Sequence, residues 1–278
     1  MMVKLGISRR SIAVVAGLLG MVSLAIGAHA ALNKRALEPA RAAGAGPAGE
    51  VASQPARLAL VIGNGHYPDA AAPLDQPIND ARALSARLRH DGFDVDVIED
   101  ASKDDMARAV ARLKSRIRPD AVVMLFFGGY GVQAGRQSYM IPVDARIWRE
   151  SDVRREGIAV ESVLDDIRER GARARLVVLD ASRRNPYERR FRSYSHGLAP
   201  ISAPDNALIL TSATPGKVAD DSDGANSVLV SELLNNLNSP GGIESVFNKT
   251  RVSISRASDG AQVPTVSSSL AEEVSLGG

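Results

Sequence analysis

Short apolar runs alternate with amphipathic segments along most of this chain, and the alternation predicts an α/β fold. The apolar runs are four to seven residues long and end at Gly, Pro or Asp, which is typical of buried strands. A further segment alternates polar and apolar residues, as a half-exposed strand does. The predicted strands are Leu58–Ile62, Asp94–Ile98, Ala121–Phe127, Arg175–Leu179 and Ala207–Leu210, with a small hairpin near Ser138–Ile141.

The segments between these strands place apolar residues three and four positions apart, which predicts helices with one buried face. The predicted helices are Pro77–His90, Lys103–Arg118, Val160–Arg170, Asn226–Leu237 and Ile243–Arg256. Strands joined through such helices form a parallel sheet that is covered on both faces. Residues 205–270 could instead form a smaller subdomain, but no linker precedes them, so we expect one continuous sheet.

The first 30 residues have the features of a secretory signal peptide. Lys4, Arg9 and Arg10 precede an uncharged, mostly apolar stretch, and Ala28-His29-Ala30 has the small-x-small pattern of a cleavage site. We therefore expect export to the periplasm or the extracellular space. The alternative is that residues 11–32 stay as an inner-membrane anchor, since they are long enough to span a bilayer.

After the leader, the amino-acid composition predicts a linker, a folded domain and a short tail. Residues 31–56 are rich in Ala, Gly and Pro, which predicts a flexible linker. The folded domain is predicted over residues 57–271, followed by a C-terminal tail, 272–278. Loss of the leader removes three cations and no acid, so the formal net charge changes from +2 to −1. The charge therefore gives no support for nucleic-acid binding.

The chain contains no cysteine. This composition suits an exported protein that avoids unwanted disulfides, and it excludes a disulfide scaffold, thiolate metal sites and a cysteine nucleophile. Asp220, Asp221 and Asp223 lack the spacing of a calcium-binding loop and predict a plain acidic turn. No metal site and no cofactor is expected.

Seven sequence blocks occur in an order and spacing that resemble a known family. The blocks are Leu60–Asn64, Pro77–Ala81, Leu125–Gly131, Tyr139–Ala145, Leu179–Pro186, Thr211–Gly216 and Gln262–Pro264. Together they resemble the caspase-like cysteine peptidases (peptidase C14), in the bacterial branch near metacaspases. The resemblance implies a mainly parallel six-stranded sheet with helices on both faces and an active site at the carboxyl ends of two central strands.

The resemblance also implies that this chain has lost the family's catalytic dyad. Tyr130 stands where the family has a histidine, and Ser182 stands where it has a cysteine. A serine hydroxyl needs a base within hydrogen-bond reach to attack an amide. Tyrosine, with a pKa of about 10, is a donor at neutral pH and a poor acceptor of the serine proton. We therefore expect Tyr130 and Ser182 not to work as a dyad.

Two aspartates match the acidic pair that lines the primary specificity pocket in metacaspase-like enzymes. They are Asp80, in the block Asn79-Asp80-Ala81, and Asp180, two residues before the nucleophile position. Two carboxylates in a cleft suit an Arg or Lys side chain. The pair therefore predicts binding of a peptide or protein through a basic residue. The structural alternative is that Asp80 pairs or caps near its helix start and Asp180 holds a loop.

Other residues near the predicted site leave alternatives open. His66 follows the first strand and His196 follows the nucleophile position, so either imidazole could serve Ser182 in a hydrolase of different geometry. A basic cluster is predicted to lie in a solvated loop with its cations paired to nearby acids. The cluster consists of Arg183, Arg184, Arg189, Arg190 and Arg192.

The sequence therefore favours an exported pseudoenzyme, a caspase-like domain that binds basic segments without cutting them. One alternative is an active hydrolase or endopeptidase with Ser182 as the nucleophile. A second is a structural interaction domain that forms a homodimer through a sheet edge. A membrane partner is expected only if the leader is not cleaved.

Overall fold

The computed structural model describes residues 55–68, 73–191, 197–219 and 223–276. Strands and helices alternate along these residues, as the hydrophobic pattern predicts. The strands are β1 Arg57–Gly63, β2 Asp94–Glu99, β3 Val122–Gly128, β4 Gly131–Ala134, β5 Gln137–Met140, β6 Ile158–Ala159, β7 Ala174–Asp180, β8 Ala207–Thr211 and β9 Thr265–Ser268. The helices are α1 Gln76–His90, α2 Lys103–Arg116, α3 Glu150–Glu156, α4 Val160–Glu169, α5 Val228–Asn236 and α6 Ile243–Ala257.

The main sheet has six strands in the order β2-β1-β3-β7-β8-β9. Every neighbouring pair is parallel except β8 and β9, which are antiparallel. This confirms the predicted α/β fold with a mainly parallel six-stranded sheet. Because β8 and β9 belong to the same sheet as β1, residues 205–270 form no separate subdomain.

Helices cover both faces of the sheet because its strands are apolar on both sides. Residues such as Phe126 and Val178 point to a core shared with α1, α5 and α6. Their neighbours in the strands, such as Phe127 and Leu179, point to the opposite core, against α2 and α4. Successive strand residues face opposite sides of a sheet, so a strand buried on both faces has to be apolar throughout.

A second, smaller sheet lies beyond the carboxyl end of β3. Strands β4 and β5 form the antiparallel hairpin that the sequence predicts, and β6 adds to its edge. The hydrophobic cluster here contains four tyrosines, whereas the described residues of the two main cores are aliphatic residues, methionine and phenylalanine. It contains Tyr67, Tyr130, Tyr139 and Tyr187 with Ile141, Ile147 and neighbouring aliphatic residues.

Helix ends differ from the sequence prediction where local chemistry intervenes. Helix α2 ends at Arg116 rather than Arg118, since Ile117 is already extended two residues before Pro119. Helix α5 begins at Val228 rather than Asn226, because the Ser227 side chain accepts a hydrogen bond from Val230 N and caps the helix. The short elements α3, β6 and β9 carry too few residues for a periodic signal and were not predicted.

None of the helices in the described ranges is both long enough and apolar enough to cross a bilayer. The leader, with its predicted cleavage site and the alternative anchor at residues 11–32, lies outside the described residues. So does the linker up to residue 54. Export and anchoring therefore stay predictions.

Candidate functional site

The pairing of β3 with β7 brings two loops together at the carboxyl edge of the sheet. Gly128, the last residue of β3, lies opposite Asp180, the last residue of β7. Beyond the strands the pairing continues, since Gly129 N donates to Asp180 O at 3.2 Å and Gly131 N donates to Ala181 O at 2.9 Å. Tyr130 and Ser182 therefore lie on adjoining loops at the centre of this edge.

Tyr130 is held in the tyrosine-rich cluster. Its ring packs edge-on against Tyr67, with ring centroids 4.8 Å apart, and 7% of the residue is exposed. Tyr67 Oη accepts from Tyr130 N at 3.1 Å and donates to Ile141 O at 3.0 Å. Burial raises the pKa of Tyr67 above its usual range, so its hydroxyl stays a neutral donor. These contacts fix the Tyr130 backbone and ring as part of a packed core.

Ser182 is almost fully enclosed, with 1% of its surface exposed. Its backbone is held on both sides: Ser182 N donates to Ser212 Oγ at 3.3 Å, and its carbonyl accepts from Ala219 N at 2.7 Å. The hydroxyl itself makes no hydrogen bond to any described residue, including Tyr130. The described residues therefore provide neither a base for this hydroxyl nor an open approach to it.

The backbone of Gly197 forms part of this cover. A Cβ at residue 197 would lie 3.6 Å from Ser182 Cβ and would collide with the carbonyl oxygen of Lys217. Gly197 also has a φ of +64°, a conformation that glycine adopts without strain. The carbonyl oxygen of Lys217 and the positive φ therefore require glycine at this position, whereas Ser182 alone would tolerate a Cβ there.

His66 is engaged elsewhere. Its Nδ1 lies 2.6 Å from Asp100 Oδ2, and 72% of its side chain is exposed. Asp100 Oδ1 accepts from the backbone N–H groups of Gly65 and His66, and these hydrogen bonds outweigh partial burial and lower the pKa of Asp100. No hydrogen bond joins His66 to Ser182. His196, the other imidazole considered, lies outside the described residues.

Asp80 and Asp180, here called the acidic pair, are both buried near the end of β7. Asp80 is completely buried, and Asp180 is 1% exposed. Asp80 Oδ1 accepts from Ser227 N and from Asn226 Nδ2, each at 2.9 Å, so it ties α1 to the start of α5. Asp80 Oδ2 and Asp180 Oδ2 accept no hydrogen bond from any described residue. Two buried carboxylate oxygens thus have no hydrogen-bond donor among the residues that the structure describes.

The charge of Asp180 affects the ionisation of Asp80. Burial, followed by the charge of Asp180, raises the pKa of Asp80 to about 6, against the opposing hydrogen bonds from Asn226 and Ser227. A carboxylate is stabilised by water and by cations, and this site offers Asp80 little of either. A donor that carries positive charge would relieve both the unmet hydrogen bonds and the repulsion.

Arg183 provides positive charge from within the chain. Its Nη2 lies 3.5 Å from Asp180 Oδ2, and the two side chains are 4% and 2% exposed. The prediction that the whole basic cluster lies in a solvated loop is therefore wrong for Arg183. Arg184, its neighbour, has a side chain that is 75% exposed. The spacing of three residues between Asp180 and Arg183 is compatible with an ion pair. In the sequence, this spacing is hard to distinguish from that of the other arginines in the same run.

A buried asparagine that the sequence analysis did not single out links the loops around the site. Asn64 Oδ1 accepts from Ala101 N at 2.9 Å, and Asn64 Nδ2 donates to Ile141 O at 3.2 Å. Gln262 acts in a similar way at the other side, where its Nε2 donates to Ser212 O at 2.8 Å. Both residues lie in sequence blocks that resemble the peptidase family, and here both serve to join loops.

Within the described ranges, no three His, Asp or Glu side chains gather closely enough to hold a metal ion. Asp220 and Asp221 lie outside those ranges, so the predicted acidic turn stays a prediction.

Comparison with known proteins places this geometry in a family. The family model described as Caspase domain matches residues 56–275. No curated protein sequence matches the chain. Among similar solved structures is the crystal structure of protein GSU0716 from Geobacter sulfurreducens, with a TM-score of 0.56 and 17% sequence identity over 76% of this chain and 92% of that chain. At this identity, the likeness concerns the fold alone.

The first prediction concerns the charge on Asp80. Because the pKa of Asp80 is raised to about 6, its carboxyl group binds a proton more tightly in the folded protein than in the unfolded chain. Its contribution to stability is complete below about pH 4 and is lost as the pH rises through 6. Asp80→Asn keeps an oxygen for Ser227 and Asn226 and should increase the free energy of unfolding by up to about 3 kcal/mol at pH 8.

Urea denaturation at pH 4.5 and pH 8 tests this prediction. The gain should shrink towards zero at pH 4.5, where Asp80 of the wild-type chain is protonated. Asp165→Asn is the control, since Asp165 is an exposed acid on α4 and should change stability by less than about 0.5 kcal/mol at either pH. A loss of stability in Asp80→Asn at pH 8 would show that its carboxylate is favourably paired.

The second prediction concerns access to Ser182. Because the chain has no cysteine, Ser182→Cys introduces a single thiol. Reaction with Ellman's reagent should be at least about 100-fold slower than in Ser115→Cys, since a buried thiol reacts only through local opening. Ser115 lies on the exposed side of α2 and provides the matched control. Similar rates in the native proteins would show that residue 182 is open to solvent.

Proposed function

Because the chain belongs to the caspase domain family, we propose that it is a catalytically inactive homologue of these peptidases that binds protein segments through a basic side chain. The observation that carries the proposal is the acidic pair, with its two unsatisfied buried oxygens, beside a serine that no described base reaches. The peptidase fold and the family follow from the comparisons, and the loss of activity and the binding role are our inference.

The chemistry at residue 182 supports inactivity. The family's reaction needs a thiolate and a histidine that promotes it and protonates the leaving amine. Ser182, which we assign to the nucleophile position, has an enclosed hydroxyl without a hydrogen bond to any described residue. Tyr130, assigned to the histidine position, is packed against Tyr67. Loss of both the nucleophile and its base leaves only binding and oxyanion contacts.

The acidic pair supports recognition of a basic side chain. A guanidinium carries up to five donors in one plane, which matches carboxylate oxygens that lack a donor. Asp180 already lies within 3.5 Å of a guanidinium, that of Arg183. The electrostatic conditions at this edge of the sheet are therefore suitable for arginine, and a peptide arginine would meet the same carboxylates.

We further propose that the protein acts outside the cytoplasm. The support comes from residues 1–30, in which a basic region is followed by an apolar stretch and by a small-x-small cleavage pattern, as in a cleaved signal peptide.

The third prediction is selective binding of arginine peptides. A fluorescent peptide with a central arginine should bind the mature chain about 10- to 100-fold more tightly than the same peptide with citrulline, which has a similar shape and no charge. The double variant Asp80→Asn, Asp180→Asn should lose this preference. Fluorescence polarisation measures both affinities. The proposal of a binding role fails if neither the wild-type chain nor an Arg183→Ala chain distinguishes the two peptides.

The same preparations test the alternative of an active hydrolase. A fluorophosphonate probe should leave Ser182 unlabelled from pH 6 to pH 9, and the peptides should stay intact. Labelling that disappears in Ser182→Ala would instead identify a serine nucleophile and contradict the proposed inactivity.

The fourth prediction concerns the leader. The full chain, expressed in a bacterial host with an intact export system, should be recovered from the periplasm with a mass that corresponds to residues 31–278. Intact-protein mass spectrometry gives the result directly. A full-length species in the membrane fraction would establish the anchored form instead.

A further inference from the structure

The acidic pair has a neighbour that belongs to the same chain. Arg183 follows Asp180 by three residues, its side chain is 4% exposed, and its Nη2 lies 3.5 Å from Asp180 Oδ2. Arg184, next in the chain, points to solvent and approaches Glu188 at 4.0 Å with a side chain that is 75% exposed. Two adjacent arginines therefore have opposite environments, and only the first is enclosed with the carboxylates.

Burial of Arg183 is explained by the negative charge around it. A buried guanidinium costs several kcal/mol unless anions and acceptors surround it. Arginine stays protonated in proteins, so it cannot escape this cost by losing a proton. Asp180 is its ion-pair partner here, and Asp80 lies close enough to Asp180 for the two carboxylates to interact. The charges of Asp180 and Arg183 therefore compensate each other, and Arg183 lies next to the acidic pair through Asp180.

The contact with Arg183 is also incomplete. Asp180 Oδ2 lies within Coulombic range of the guanidinium but accepts no hydrogen bond from any described residue, and the same holds for Asp80 Oδ2. A guanidinium that is not constrained by this loop can donate short hydrogen bonds to carboxylate oxygens in its plane. Arg183, which is only three residues from Asp180 in the chain, lies beside Asp180 without donating a hydrogen bond to either Oδ2 atom.

We infer that Arg183 is an intramolecular ligand of the acidic pair and that an external arginine or lysine binds there only after displacing it. This inference rests on the proposed function of the same site. A tethered side chain competes at an effective concentration in the millimolar range, so it weakens the binding of every external ligand. An external arginine or lysine displaces Arg183 because it can donate hydrogen bonds to the two Oδ2 atoms, which receive none from Arg183.

Removal of Arg183 tests the inference without a peptide. In Arg183→Ala, methylguanidinium at millimolar concentration should bind saturably and raise the melting temperature, since ligands that bind the folded state stabilise it. The wild-type chain and Arg184→Ala should show no saturable rise, because Arg183 fills the site in both. Asp180→Asn combined with Arg183→Ala should abolish the effect. Arg183→Gln, which keeps more side-chain volume, gives the same readout where the alanine variant does not fold.

Affinities for the arginine peptide then distinguish a failure of this inference from a failure of the proposed function. Arg183→Ala should bind the arginine peptide at least about tenfold more tightly than the wild-type chain does, with no change for the citrulline peptide. Equal affinities in the two proteins, or an absence of methylguanidinium binding in both Arg183 variants, would overturn the inference. Binding of methylguanidinium by Arg183→Ala with no preference for the arginine peptide would support the inference and refute the proposed function.

Discussion

The site depends on the parallel pairing of β3 with β7. This pairing sets Gly128 opposite Asp180, and hydrogen bonds from Gly129 and Gly131 extend it into the two loops. In parallel α/β sheets, functional groups collect at the carboxyl ends of strands because the loops that follow them meet there. A shift of one residue in the register would turn every side chain of the shifted strand to the other face and separate Asp180 from Asp80.

Buried polar groups determine how these loops are arranged. Asn64 joins the ends of β1 and β2 to the segment after β5, and Asp80 joins α1 to the start of α5. Each of these side chains replaces water for buried backbone groups, which would otherwise be left without partners at a cost of about 1–3 kcal/mol each. Asp80 differs from Asn64 because one of its oxygens is unsatisfied and its pKa is raised to about 6. Within this network, the ionised carboxylate of Asp80 therefore lowers the stability of the folded state.

Much of the fold was predictable from the sequence, since long apolar runs such as β3 and periodic helices such as α1 carry strong local signals. The short edge strand β9 was not predictable, because pairing with β8 rather than its own composition makes it a strand. At the site, the sequence identified Asp80, Asp180, Tyr130 and Ser182 as candidates. It did not predict burial of Arg183, because a run of arginines has the same pattern whether one member is enclosed or all are solvated.

The enclosure of Ser182 and the position of Arg183 are two aspects of one loop conformation. Asp180 ends β7, Ser182 lies beneath Gly197 and bonds through its carbonyl to Ala219, and Arg183 lies beside Asp180. Because residues 182 and 183 are adjacent, the loop conformation that places Arg183 beside Asp180 also fixes the position of Ser182. The ion pair of Arg183 with Asp180 therefore forms in the same loop that encloses the serine. In this chain, the conformation that buries the hydroxyl is the one that also places a guanidinium beside Asp180.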